Sequence, residues 1–208
     1  VFLQILNLAG IAVFAISGAL VGVRNRLDLF GICVVGTTTG IGGGLIRDLL
    51  LGVHPPTSMV EWPNVAVPVA MSLIVCFVHA QLDRVWRAVL LFDACGMGLF
   101  AATGASIALD HGAGALAAVM IGATAAVGGG VLRDVLVNEV PMLLRRDLYA
   151  LPALLGAVLV VVCNQLGLAT DAALLVGALT ATGLRCLALW QHWQLPQARV
   201  SDSSRKGR

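Results

Sequence analysis

The sequence predicts an all-α polytopic membrane protein with seven transmembrane helices, arranged as an inverted 3+3 repeat plus a seventh helix. Three observations carry this. Of 208 residues, 59% are hydrophobic and 12% charged, with a mean hydropathy of +0.93, whereas soluble domains carry about 25% charged residues. Apolar stretches of the length that crosses a bilayer, about 20 residues, recur along the whole chain. A glycine-rich motif at Gly42 returns at Gly128, 86 residues later.

The expected spans are 2–23, 29–53, 64–82, 88–109, 113–140, 148–166 and 172–190. Turn-forming residues separate them: Arg24-Asn25-Arg26, His54-Pro55-Pro56, Asp83-Arg84, Asp110-His111-Gly112, Pro141 and Thr170-Asp171. The runs lack the alternation of barrel strands, so helices are the spanning element. No cleavable signal peptide is expected.

Position makes the basic residues informative. Arg24, Arg26, Arg84, Arg87, Arg145 and Arg146 fall in alternate loops, and Arg199, Arg205, Lys206 and Arg208 in the tail. All lie on one side of the predicted topology, and the loops on the other side hold no Lys or Arg. The positive-inside rule then places the N-terminus outside and the C-terminus in the cytoplasm of a multi-pass cell (inner) membrane protein. Glu61, Asp110 and Asp171 in the outer loops would make a mildly cation-attracting mouth. No basic run carries interleaved aromatics, so nucleic acid is not an expected partner; membrane lipid is.

The repeat fixes the organisation. Gly42-Gly43-Gly44-Leu45-Ile46-Arg47-Asp48 aligns with Gly128-Gly129-Gly130-Val131-Leu132-Arg133-Asp134. The same shift pairs Gly10 with Gly96, Phe14 with Phe100, Ser17 with Thr103, Gly36 with Gly122, Thr38 with Thr124 and Pro55 with Pro141. Repeat 1 is 1–83, repeat 2 is 84–168, the seventh span is 169–191 and a basic cytoplasmic tail is 192–208. Three spans per unit is odd, so the second copy enters the bilayer inverted. Inverted repeats place a solute path at their interface, marked by matching interrupted helices. The second and fifth spans are expected to be interrupted, because three consecutive glycines weaken a helix at mid-membrane. Small residues every four positions (Gly36, Gly40, Gly44 before Asp48; Gly122, Ala126, Gly130 before Asp134) permit close packing. Spans 1, 2, 4 and 5 should pack around the pseudo-two-fold axis, with 3, 6 and 7 peripheral.

Arg47, Asp48, Asp93, Arg133, Asp134 and Arg185 are ionisable groups inside spans. A lone charge at mid-bilayer costs about 3 kcal/mol on insertion scales, so these face protein or water. Depth suggests that Arg133 pairs with Asp93, and that Arg47 meets the neutral Asn7 and is less fully compensated. Either arginine is a candidate movable plug or half of a static salt bridge. Arg185 is expected to snorkel to the inner surface. Cys33, Cys76, Cys95, Cys163 and Cys186 lie in apolar stretches without ligand or disulfide spacing and read as packing residues. His79 and His111 lack a second ligand nearby, so no metal and no cofactor is expected.

The duplicated Gly-Gly-Gly-x-x-Arg-Asp motif and the three-plus-three-plus-one layout resemble the prokaryotic branch of the trimeric intracellular cation (TRIC) channels, a bacterial family also called glycine-transporter domain proteins. The resemblance covers about residues 1–190. It implies a homotrimer with one pore per protomer, running between glycine-kinked second and fifth spans and conducting potassium and other monovalent cations such as sodium. Carried onto this chain, Gly42, Gly43, Gly44, Gly128, Gly129 and Gly130 become the kinks, and Arg47 and Arg133 the basic residues after them. Animal members use lysine after a kink; this chain has arginine at both places, which stays charged throughout the accessible pH range.

The expected function is a potassium-permeable cation channel gated at the two kinked spans. Its polar lining would be Asn7, Ser17, Thr37, Thr38, Thr39, Thr103 and Thr124, with glycine carbonyls assisting. The alternative is a secondary transporter of glycine or another small zwitterion. An intramembrane enzyme is the minor alternative. Asp48 and Asp134 invite comparison with aspartyl proteases, whose carboxyls share a proton. The inverted repeat sends these two toward opposite membrane faces, so no enzyme is expected.

Overall fold

A computed structural model describes residues 1–78, 85–145, 148–191 and 193. Arg84, Arg146, His79, Asp83, the boundary at 83/84, the end of the third span and the basic tail residues lie outside the described residues.

The described chain is helical: α1 (Phe2–Arg24), α2 (Leu29–Leu50), α3 (Thr57–Val60), α4 (Trp62–Val78), α5 (Val85–Asp110), α6 (Ala115–Leu136), α7 (Met142–Arg145), α8 (Ala150–Gln165) and α9 (Thr170–Gln191). Five of these (α1, α2, α5, α6 and α9) are long and apolar enough to cross a membrane, and α4 and α8 are shorter apolar helices. Exposed leucines, isoleucines and phenylalanines such as Phe30, Leu49, Ile74, Phe77, Leu116 and Leu179 cover the outside. This is the surface of an all-helical membrane protein.

The period of 86 residues is visible in the backbone. α6 begins and ends 86 residues after α2. The chain turns in the left-handed region at Arg26 and Gly112, and again at the matching Gly52 and Asn138. Local chemistry sets the ends. Asp28 caps α2 by accepting from the Gly31 amide at 2.7 Å, and Asn25 closes α1 by donating to the Val21 carbonyl.

α1, α2, α6 and α5 form a closed ring in which each packs on its two neighbours. α4 covers α1 and α2, α8 covers α5 and α6, and α9 lies on α5 and α8. The contacts are reciprocal. A Cβ on Gly42 would lie 2.6 Å from Leu132, and one on Gly128 2.6 Å from the equivalent Ile46. A Cβ on Gly43 would run into the Ala125 carbonyl oxygen, and one on Gly129 into that of Thr39. Gly10 lies against Phe100, and Gly96 against Phe14.

Two expectations are corrected. The second and fifth spans are not interrupted: α2 and α6 run unbroken through Gly42, Gly43, Gly44 and Gly128, Gly129, Gly130. Here the glycines serve backbone-to-backbone approach, because helix neighbours stay close enough to keep the helix intact while no side chain fits between the two axes. Arg87, read as a loop residue, lies inside α5, while Arg24 ends α1 with its guanidinium 4.3 Å over the Trp86 ring.

Gly43→Ala and Gly129→Ala should each lower stability by about 1–3 kcal/mol, because the obstacle is a carbonyl on a neighbouring helix that cannot rotate away. Gly183→Ala, which meets nothing within 4 Å, should be neutral or stabilise by up to about 1 kcal/mol. Thermal unfolding of the three purified variants in one detergent checks the contrast.

Candidate functional site

Two arginine–aspartate centres stand at opposite ends of α1. Asn7 belongs to one and Ser17 to the other, ten residues apart, or about 15 Å of helix.

In the first centre, Arg47 and Asp48 near the end of α2 are both buried. The guanidinium Nε donates to Asp48 Oδ1 at 2.8 Å, with Nη2 2.7 Å from the same oxygen. Nη1 donates to Asn7 Oδ1 at 3.4 Å and Nη2 to Thr57 Oγ1 at 3.2 Å. The second carboxylate oxygen accepts from the Thr57 amide at 2.9 Å and its hydroxyl at 2.6 Å. Asp48 thus caps the short helix α3 while it holds Arg47. Asn64 ties the Thr57 carbonyl to the start of α4 at 3.1 Å.

The second centre repeats the plan with different outer residues. Arg133 Nε donates to Asp134 Oδ1 at 2.9 Å, and Asp134 Oδ2 accepts from the Met142 amide, the cap of α7, at 2.8 Å. Arg133 Nη1 donates to Asp93 Oδ1 at 2.6 Å and to Ser17 Oγ at 2.7 Å. Tyr149 donates its hydroxyl to Asp93 Oδ2 at 2.7 Å. Asp93 stands where Asn7 stands in the first repeat, and the Tyr149 hydroxyl lies beside Gly130 as that of Ser58 lies beside the equivalent Gly44.

The centres differ in access. Arg47, Asp48, Asn7 and Thr57 line a cavity of about 590 Å³, together with Glu61, Asn64, Asp110 and His111. Arg133 is fully enclosed. Between the centres, Phe14 and Phe100 stack with ring centroids 5.4 Å apart, buried against Gly129 and Gly43 respectively.

The structure therefore brings together Arg133 with Asp93, and Arg47 with Asn7, as the residue depths implied. Arg185 is corrected: it does not snorkel but is 1% exposed, its guanidinium 4.7 Å from the Tyr149 ring centre. Of the polar lining residues, Thr39, Thr103 and Thr124 donate to carbonyls four residues back on their own helices, at Val35, Leu99 and Met120. Ser17 is committed to Arg133 and the Val89 carbonyl. Thr37 and Thr38 are half-buried, and the Thr37 hydroxyl is buried without a partner among the described residues. Among the described residues no cluster of His, Cys, Asp or Glu is arranged to hold a metal. Thr57, Asn64 and Tyr149 escaped the sequence reading. Their signal is the proline before each short helix, which places a capping position and a second helix start beside the preceding Arg-Asp pair.

Tyr149→Phe removes the hydroxyl that donates to Asp93 Oδ2 in an enclosed site and should cost about 1–3 kcal/mol. Thr57→Val, beside the cavity where water can replace the hydroxyl, should cost less. Melting temperatures of the two variants measured side by side check the order.

The chain matches the family model described as Glycine transporter over residues 4–80 and 90–165. It is 34% identical over 203 residues to the UPF0126 inner membrane protein YadS of Escherichia coli K12, covering 96% of this chain and 98% of that one. It is 44% identical over 154 residues to a UPF0126 membrane protein of Deinococcus radiodurans, covering 73% and 72%. Among solved structures, the TRIC orthologue from Rhodobacter sphaeroides superposes with a TM-score of 0.89 at 37% identity, over 91% of this chain and 98% of that one. A second TRIC cation channel superposes at 0.86 and 39% identity, over 95% and 98%. With the twofold family match, the near full-length relatives and the shared architecture, the chain belongs to the prokaryotic TRIC channel family, whose family model carries the name glycine transporter.

Proposed function

We propose that this protein is a monovalent-cation channel, permeable to potassium and sodium, with one path per protomer of a homotrimer. The observation that carries the reading is the cavity of about 590 Å³ that ends on the Arg47–Asp48 centre. Its rim holds Glu61 and Asp110 with no arginine or lysine besides Arg47, so its field draws cations in. Likeness to solved TRIC cation channels along nearly the whole chain supports the same reading.

The path continues from the cavity along the α2–α6 contact. In this conformation the Phe14–Phe100 stack and the enclosed Arg133 centre block it, so the described state is closed. Opening requires α2 and α6 to shift at Gly43 and Gly129. Arg47 and Arg133, each one turn beyond the glycines, move with them. The helix count is seven spans, α4 and α8 being the two short ones. The repeats are inverted, with the N-terminus outside and the C-terminus in the cytoplasm. The reciprocal contacts and the placement of the centres at opposite ends of α1 support this. Membrane lipid is the other partner, and likeness to cation channels and to UPF0126 membrane proteins fits a protein that is not an enzyme.

One observation favours a second reading, a carrier of glycine or another small zwitterion. The cavity reaches one centre while the arginine of the other is fully enclosed, as in a one-side-open state of alternating access.

Purified protein in a planar bilayer under a potassium gradient should give discrete current steps. Replacing both Phe14 and Phe100 by alanine should raise the open probability, because it removes the stack between the centres. A silent bilayer with saturable glycine uptake into liposomes would replace the channel with the carrier.

A further inference from the structure

We infer that Arg185 of α9 is a positioning residue for the second centre: its buried charge compensates Asp93 and sets how tightly Asp93 holds Arg133. The functional half of this rests on the channel reading above; the charge compensation does not.

The first centre is neutral as built, one arginine on one aspartate with Asn7 opposite. The second has an extra carboxylate, because Asp93 replaces Asn7. Arg133, Asp134 and Asp93 together carry one net negative charge in a site where Arg133 and Asp93 are enclosed and Asp134 is 5% exposed. Uncompensated charge in such surroundings is expensive. The missing positive charge comes from α9, the helix with no counterpart in either repeat. Arg185 lies over the face of Tyr149, a favourable seat for a cation, and the hydroxyl of that ring donates to Asp93. Its Nε and Nη1 are buried with no hydrogen-bond partner among the described residues, so nothing else in the site accounts for its burial.

The seat is built firmly. Arg185 continues the buried face of α9 that runs through Leu174, Ala178 and Ala181. Gly98 and Gly156 let that helix approach closely, a Cβ at each meeting a carbonyl of α9, at Ala178 and Gly177 respectively. Asp93 is therefore shared between Arg133, which moves with α6, and a fixed charge on α9. If α6 shifts, Asp93 keeps a compensating cation and Arg133 can leave it.

The test is a charge cycle with Arg185→Gln, Asp93→Asn and the double variant, in full-length protein. Each single variant leaves one unbalanced buried charge and should melt at least about 5 °C below the parent. The double variant restores neutrality, reproduces the pattern of the first centre and should recover at least about half of the larger loss. Arg185→Lys keeps the charge and should melt closer to the parent than Arg185→Gln. In bilayers, Arg185→Gln should lower the open probability by about fivefold, because Asp93 then has Arg133 alone, and adding Asp93→Asn should reverse this. Additive melting losses, or an unaffected Arg185→Gln, would overturn the inference. Reciprocal melting with every variant and the parent electrically silent would support the compensation and count against the channel alone.

Discussion

The contact between α2 and α6 at Gly43 and Gly129 is the constraint from which the rest of the molecule follows. Two helices whose carbonyls face the other's glycine α-carbons cannot accept any side chain at the crossing. Lipid supplies no hydrophobic drive for helices to associate, so close packing of small residues has to supply the cohesion. Once that crossing is set, each Arg-Asp pair lies one turn beyond it. The aspartate turns the chain into a short capped helix, and the arginine points back to the start of α1 or α5. Position of charge thus follows from position of glycine.

That dependence explains which parts were legible. The repeat could be read from glycine coincidences alone, and the pairing of Arg133 with Asp93 from depth alone, because a buried cation must meet an anion. The unbroken course of α2 and α6 was not legible. Glycine weakens an isolated helix, but here packing on both sides holds the helical backbone, and composition cannot tell a hinge from a contact. The threonines carry a related ambiguity: a hydroxyl that returns to its own helix, as in Thr39 and Thr103, reads in sequence the same as one that lines a path. Arg185 was misplaced because its depth was weighed without its face. The spacing Leu174, Ala178, Ala181, Arg185, Ala188 was present in the sequence and puts it inward.

Duplication gives two centres of one design, and substitution has separated their behaviour. The first keeps the neutral Asn7 and opens on a cavity. The second has Asp93 in that place, with Tyr149 donating to it, and its arginine is fully enclosed. A buried network satisfied on most sides resists rearrangement, whereas an arginine beside a wet cavity can exchange partners with water at little cost. On the channel reading proposed above, the first centre would meet the permeating ion and the second would hold the closed arrangement.

The seventh helix fits that division of labour. A strictly symmetric pair of repeats would have no reason to prefer one closed end, since any substitution stabilising one arrangement would stabilise its mirror. α9 packs chiefly on α5 and α8 of the second repeat and only marginally on α1. It adds mass, close glycine contacts and one buried charge to the same half that carries the extra aspartate. Asymmetry in packing and asymmetry in charge thus coincide on one end of the ring. On the proposed gating, an α6 that shifts against α9 would give the duplicated fold one hinge side and one anchor side.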